Sequence, residues 1–193
     1  MMMRDMHPML RKFKSWFGRT APASVLQFST QPVTLQGITY QLKKAAEPDV
    51  PEMLAVERRI YAGRQPWDAR AFHSELRRYD KALYLNAYQN GHLVAYIGTW
   101  FTPREAHVTN LAVDPDWQQR GLGRFLLETM IERARAAGTP RVTLEVRVDN
   151  MPAIALYHSV GFRDGAIKPN YYIADQMDAR NMILDLPAEK ESD

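Results

Sequence analysis

Residues 107–150 read HVTNLAVDPDWQQRGLGRFLLETMIERARAAGTPRVTLEVRVDN, and the hydrophobic period of this stretch changes twice. His107 to Val113 is apolar and β-branched enough for a strand. Asp114-Pro115 stops it. Gln118-Gln119-Arg120-Gly121-Leu122-Gly123-Arg124 then leads into Phe125, Leu126, Met130, Ile131 and Ala134, which recur at helical spacing up to Gly138. From Arg141 to Val148 the period drops to two, with Val142, Leu144, Val146 and Val148 alternating with Arg141, Thr143, Glu145 and Arg147. Strand, helix and strand make a βαβ unit, whose strands are expected to be parallel with a right-handed crossover. Open sheets of this kind take ligands at the carboxyl ends of their strands.

A strand followed by a glycine-bearing turn and a helix N-terminus presents unpaired backbone N–H groups, which suits phosphate. Two phosphate loops fail on this sequence. A Walker A loop needs Gly-Lys followed by Ser or Thr, and the dinucleotide fingerprint needs a glycine where Leu126 stands. An ordinary tight connection remains the alternative reading. Beyond the second strand, Asp149-Asn150 opens a helix with Pro152 in its first turn. It carries Ile154, Leu156, Tyr157 and Val160, and Gly161 stops it.

Upstream, Thr39 to Lys44 alternates as a strand, and Pro48-Asp49 opens a helix through Met53, Leu54, Val56 and Ile60. Asp68 caps a second helix through Phe72, Leu76 and Tyr79. Ala82 to Tyr88 and Leu93 to Phe101 read as strands joined by an Asn90-Gly91 hairpin turn. Residues 1–37 read as a separate extension: Met6, Met9, Leu10, Phe13, Trp16 and Phe17 interleave with basic residues as a short amphipathic helix, and Ala21 to Gly37 reads as a linker. Membrane contact by this helix ranks below a disordered or partner-ordered extension. A secretory signal is not expected, because no apolar segment follows the positive charges.

The chain of 193 residues is 46% hydrophobic, enough for one or two packed domains. Its net charge of +3 resides in the extension, where Arg4, Arg11, Lys12, Lys14 and Arg19 face Asp5 alone. The remainder is nearly balanced, so a nucleic-acid-binding face on the main domain is not expected. With no cysteine, disulfides, thiolate metal sites and a cysteine nucleophile are excluded. His7, His73, His92, His107 and His158 show no zinc-binding spacing, and no Gly-x-Ser-x-Gly elbow supports a hydrolase, so no metal and no hydrolysis are expected.

Leu111-Ala112-Val113-Asp114-Pro115, the Gln118-x-x-Gly121-x-Gly123 loop, Leu144-Glu145-Val146-Arg147, Asn150, Ala155-Leu156-Tyr157 with Gly161-Phe162, and Asn170-Tyr171-Tyr172 resemble the GCN5-related N-acetyltransferases. Within that superfamily the sequence is most similar to the bacterial ribosomal-protein-alanine acetyltransferases. The resemblance covers residues 38–187, leaving 188–193 as a short charged tail. It implies an α/β fold with a mixed, mostly antiparallel sheet, splayed at a central parallel pair and flanked by helices.

The resemblance also implies roles for particular residues. Gln118, Gln119, Arg120, Gly121, Leu122, Gly123 and Arg124 would wrap the pyrophosphate of acetyl-CoA, with Leu111, Ala112 and Val113 pairing with its pantetheine arm. A backbone N–H near Ala112 would polarise the thioester. Asn150 would contact the coenzyme, though a plain helix cap explains it equally. Glu145 would be the base acting on the amine through a water, and Tyr157 the acid that protonates the sulfur, unless Tyr157 is a core aromatic. Tyr61 to Trp67, including Gly63-Arg64-Gln65, and Tyr171-Tyr172 would wall the acceptor channel.

The expected activity is acetyl transfer in the cytoplasm to a protein N-terminal α-amine, that of alanine on a small-subunit ribosomal protein. Two readings stand beside it: acetylation of a small amine or a lysine side chain, and a non-catalytic acyl-CoA-binding module. The presence of both Glu145 and Tyr157 favours an enzyme.

Overall fold

The computed structural model describes residues 22–61 and 67–187. The amphipathic helix expected over residues 6–17, the Gly63-Arg64-Gln65 part of the channel wall and the tail 188–193 lie outside them. Eight strands form one sheet: β1 (Gln31–Leu35), β2 (Ile38–Lys44), β3 (Ala82–Gln89), β4 (His92–Phe101), β5 (Ala106–Val113), β6 (Arg141–Arg147), β7 (Arg163–Tyr172) and β8 (Met177–Asp185). Their spatial order is β1-β2-β3-β4-β5-β6-β8-β7, and among these neighbours only β5 and β6 are parallel. The helices are α1 (Ala23–Leu26), α2 (Val50–Ile60), α3 (Ala69–Leu76), α4 (Leu122–Ala136) and α5 (Met151–Val160).

Local signals explain most of these elements. Asn90 and Gly91 have φ of 49° and 81°, the left-handed pair that a two-residue hairpin needs. An Asp68 carboxylate oxygen accepts from Ala71 N–H at 2.7 Å and caps α3. That helix ends at Leu76, so Tyr79, expected on it, lies beyond its end and is exposed. Asn150 caps α5 by accepting from Ala153 N–H at 3.2 Å.

The segment expected as a linker contains α1 and β1 instead. Val25 and Leu26 are buried, Val33 and Leu35 pack on the same core, and Gln36-Gly37 makes a hairpin turn with positive φ at both residues. Lys44 Nζ donates to the Leu26 carbonyl at 2.9 Å, and Arg133 donates to those of Val25 and Gln27 at 2.6 and 2.8 Å. Pro32 is tolerated because β1 lies at the edge of the sheet, with no partner on one side among the described residues.

The sheet separates two apolar layers. On one face α4 and α5 place Leu122, Leu126, Leu127, Met130 and Ile154 against Ile97, Val108, Leu144 and Val146. On the other, α2 and α3 place Met53, Val56 and Phe72 against Tyr84, Tyr96 and Trp100. Between β4 and β5 the register passes from Gly98↔Asn110 to Thr99↔Val108, leaving Thr109 as an extra residue on β5. Its hydroxyl hydrogen-bonds the buried Tyr84 hydroxyl at 2.8 Å. The Tyr84 ring lies where a side chain at Gly98 would start: a Cβ there would sit 2.2 Å from the ring.

Tyr84 is fully buried and tied to the bulge, so it has nowhere to retreat. Gly98→Ala is therefore expected to cost about 1–3 kcal/mol by overpacking. A urea midpoint unchanged from the parent protein would show that the Tyr84 ring is not fixed.

Candidate active site

β5 and β6 pair only at Ala106↔Val142, His107↔Thr143 and Val108↔Leu144. Beyond them β6 stays with β8 and β5 with β4, and a gap opens between the parallel strands. Asp114 N–H donates to the Val94 carbonyl of β4 at 2.9 Å, which fixes the alternation of β5. The backbone of Ala112 turns toward β4, and those of Leu111 and Val113 turn into the gap. The Val113 carbonyl accepts from Gln118 Nε2 at 3.0 Å. The backbone groups near Ala112 that face the gap belong to Leu111 and Val113.

At the same end of β5, the loop Gln118–Gly121 is exposed and runs into α4. Gly121 has φ +79°, a conformation that glycine adopts without strain, and the only atom near its missing Cβ is Gln36 Nε2 at 4.0 Å. The first-turn N–H groups of Leu122, Gly123 and Arg124 precede the first intrahelical bond, from Phe125 N–H to the Gly121 carbonyl at 3.0 Å. Leu122 turns its side chain into the core, leaving its backbone to the loop. Arg120 lies over the Trp117 ring, and Arg124 donates to the Ser159 hydroxyl at 2.6 Å. An open, positively biased cradle beside a backbone gap fits an extended anion with an amide-bearing arm. The Asn150 side-chain oxygen is used in capping α5, which leaves its NH₂ group as a donor.

The two chemical candidates lie on opposite faces of the sheet. Tyr157 on α5 packs on Phe162 in the layer below α4, with ring centroids 5.9 Å apart. Burial, and secondarily Tyr61, holds its phenol well above the ordinary tyrosine range, so it keeps its proton. Glu145 on β6 faces the other side and has three partners. His107 Nε2 lies 3.1 Å from its Oε2, Lys168 Nζ pairs with its Oε1, and the Tyr171 hydroxyl hydrogen-bonds the carboxylate. Burial alone would raise the Glu145 carboxyl, but His107 and then Lys168 outweigh it and hold the group down at about 2. His107 is itself fixed by Thr143, Nδ1 to hydroxyl at 2.8 Å. A cavity of about 230 Å³ runs along this face past Glu105, His107, Glu145, Lys168 and Tyr171. A carboxylate so anchored is ionised and held in place on the face that the cavity follows.

The aromatic wall is divided. Tyr171 and Tyr172 end β7 and meet edge to face with ring centroids 5.2 Å apart. Burial raises the Tyr172 phenol, followed by Tyr61, Tyr157 and Glu145, so these groups lie within electrostatic reach of one another. Tyr61 follows α2, and its phenol is pushed up to about 12 by burial and then by Glu57. Trp67 is 5% exposed and packs on Phe72, so the structure places it within the core layer.

Sequence reasoning did not single out Lys168 or Glu57, and it considered His107 only as a metal ligand. The parallel register that sets His107 beside Thr143 and Glu145 was implicit in the βαβ unit. Lys168 arrives on β7, a strand whose PNYY end carries little alternation. Glu57 falls one helical turn from both Met53 and Tyr61, a placement that the periodicity alone would have shown as inward-facing.

Comparison with known proteins bears on this arrangement. Residues 40–162 match the model of the Acetyltransferase (GNAT) family. The [ribosomal protein bS18]-alanine N-acetyltransferase of Escherichia coli (strain K12) is 38% identical over 139 residues, covering 72% of this chain and 91% of that protein. The N-alpha-acetyltransferase RimI of Mycobacterium tuberculosis is 36% identical over 160 residues, 81% of this chain and 94% of that one. The crystal structure of the ribosomal-protein-S18-alanine N-acetyltransferase from Escherichia coli superposes with a TM-score of 0.70 at 36% identity, covering 79% of this chain and 97% of its own. The parted strands, the cradle at α4 and this degree of likeness agree: the chain is an N-acetyltransferase and belongs to the GNAT family.

Proposed function

We propose that the protein transfers the acetyl group of acetyl-CoA to the α-amine of a protein N-terminus, that of a small-subunit ribosomal protein beginning with alanine. The parting of β5 and β6 carries this reading, because it puts unpaired backbone, a protonated phenol and a fixed carboxylate around one opening. The name of the Escherichia coli relative supports the ribosomal alanine acceptor, and that of the Mycobacterium tuberculosis relative supports an α-amine. A cytoplasmic location and independence from metal belong to the same reading.

The roles follow from the geometry. Leu111 and Val113 would pair with the pantetheine arm, the Gln118–Arg124 loop would take the pyrophosphate through backbone N–H groups, and Asn150 would donate to the coenzyme from its free amide hydrogens. Glu145, ionised throughout the working range, would draw the acceptor's ammonium toward the opening. After the ammonium has released a proton to solvent, the neutral nitrogen attacks the thioester carbon, the C–S bond breaks with its electron pair on sulfur, Tyr157 supplies a proton to that sulfur, and the second proton shed by the nitrogen restores the phenol. Tyr61, Tyr171 and Tyr172 would confine the first residue of the acceptor, with Trp67 supporting them from the core.

Gly121→Val should weaken acetyl-CoA binding by at least ~10-fold, because a β-branched residue is strained at φ +79° and would reshape the loop. Calorimetric titration with the coenzyme checks this, and an unchanged dissociation constant would remove the pyrophosphate from this loop. The acceptor is tested by mass spectrometry on three substrates offered together: an Ala-Arg-initiated ribosomal peptide, a lysine peptide with a blocked N-terminus, and a free polyamine. The α-amine should be modified fastest. Preference for either competitor would overturn the acceptor and leave the acetyl-transfer chemistry in place.

A further inference from the structure

One polar side chain at the parting of the strands has no part in the roles above. Asn110 of β5 stands opposite Gly98 of β4, two residues beyond Val108↔Leu144, where β5 and β6 last pair. A Cβ on Gly98 would run into the Tyr84 ring and lie 2.8 Å from Asn110 Oδ1. The Asn110 amide therefore faces the acceptor side of the sheet, as Tyr84 and Ala112 do. Glu145, the residue after Leu144, faces the same side from β6.

A relay of hydroxyls holds this amide. The buried Tyr84 hydroxyl lies 2.8 Å from that of Thr109, and Thr109 donates to Asn110 Oδ1 at 3.0 Å. Thr109 has one hydroxyl proton, so with that proton on Oδ1 the Tyr84 hydroxyl is the donor to Thr109. The carbonyl end of the amide is thereby taken on the β4 side, and its NH₂ end is left as a donor. Asn110 Nδ2 is buried with no hydrogen-bond partner. Such a group is unfavourable until an acceptor reaches it, and an arriving ammonium offers only protons. The coenzyme offers an oxygen. Its phosphates belong at the α4 end of the gap, so an arm paired on Leu111 and Val113 brings the thioester to the closed end, beside Asn110.

We propose that Asn110 is a further catalytic residue: its Nδ2 donates to the acetyl carbonyl oxygen of acetyl-CoA from the acceptor face, beside the backbone that Leu111 turns into the gap. The inference rests on the acetyl-transfer reading. As the nitrogen bonds to the acetyl carbon, the π pair of the carbonyl moves onto its oxygen. That pair returns when the C–S bond breaks and the bonding electrons leave on sulfur. Asn110 exchanges no proton in either step. Its hydrogen bond is strongest while the oxygen carries charge, so it lowers the barrier more than it tightens binding.

The test is infrared spectroscopy of acetyl-CoA, isotope-labelled at the acetyl carbonyl carbon and bound with no acceptor present. A donor on the carbonyl oxygen lowers its stretching frequency, so Asn110→Ala should move the bound band to higher wavenumber than in the parent protein. With an alanine-initiated peptide the same variant should lose ~10²-fold in kcat, while the dissociation constant of acetyl-CoA and the KM of the peptide are nearly kept. Asn110→Asp separates donation from support. It keeps the size of the side chain and an oxygen for the Thr109 hydroxyl, so it should restore the parental rate if Asn110 only holds the bulge. Without the NH₂ donor it should instead be at least as slow as Asn110→Ala. An unmoved band, or the parental rate in Asn110→Asp, would overturn the proposal. If Asn110→Ala does not fold, the band of Asn110→Asp decides in the same sense. The spectrum needs no amine, so a wrong acceptor leaves it unchanged, whereas a parent protein that does not bind acetyl-CoA would remove the acetyl-transfer reading and this role with it.

Discussion

The architecture depends on two parallel strands that stop pairing after three residues. A backbone N–H or carbonyl left unpaired inside a sheet is costly, so a gap there persists only if the surrounding structure holds it open and something polar can fill it. The bulge at Thr109 starts the divergence, and Tyr84, wedged against Gly98 and bonded to Thr109, keeps the bulge in place. β4 and β8 satisfy the outer edges of β5 and β6, so only the inner edges face each other across the opening. The strand that opens the gap leads directly to the N-terminus of α4, so the anion cradle and the missing-strand site share one end of the sheet. Backbone pairing for an amide arm and N–H groups for its phosphates are thus consequences of a single divergence.

The sheet also separates the chemical groups by environment. Tyr157 lies in the α4–α5 layer, where burial keeps the phenol protonated. Glu145 and Glu57 lie on the opposite face and respond to burial in opposite ways. Glu145 has His107 and Lys168 beside it, and their combined effect exceeds the cost of desolvation. Glu57 has one hydroxyl, which does not. Two carboxylates on one face thus differ in proton affinity because of their neighbours, burial being common to both.

The βαβ unit was legible because both of its periods are strong and its boundaries carry Asp-Pro, glycines and a helix cap. The hairpin at Asn90-Gly91, the cap at Asp68 and the αL stop at Gly161 were legible for the same reason, each being local chemistry. The β1–β2 hairpin was not, because Gln36-Gly37 is a weak turn signal and Pro32 argues against a strand unless its edge position is known. The coenzyme cradle could be read from glycines on one short segment. The surroundings of Glu145 could not: His107, Lys168 and Tyr171 come from β5 and β7, and only the tertiary register brings them together. Glu57 carries no motif of its own, and only its place one turn from both Met53 and Tyr61 marks it as inward-facing.

The proton affinities on the acceptor side discriminate between kinds of amine before any shape is considered. An α-amine titrates near ~7.7 to 8.0 and a lysine amine near ~10.4, so at neutral pH the neutral, attacking form is ~10²–10³ times more abundant for the α-amine. A lysine-directed site in the same fold would need to close that difference with a stronger base. His107 and then Lys168 hold Glu145 at about 2 against the effect of burial, so a stronger base at that position would have to lose them. An α-amine therefore asks less of such a site than a lysine amine does, because a smaller proton affinity has to be overcome before the nitrogen can attack.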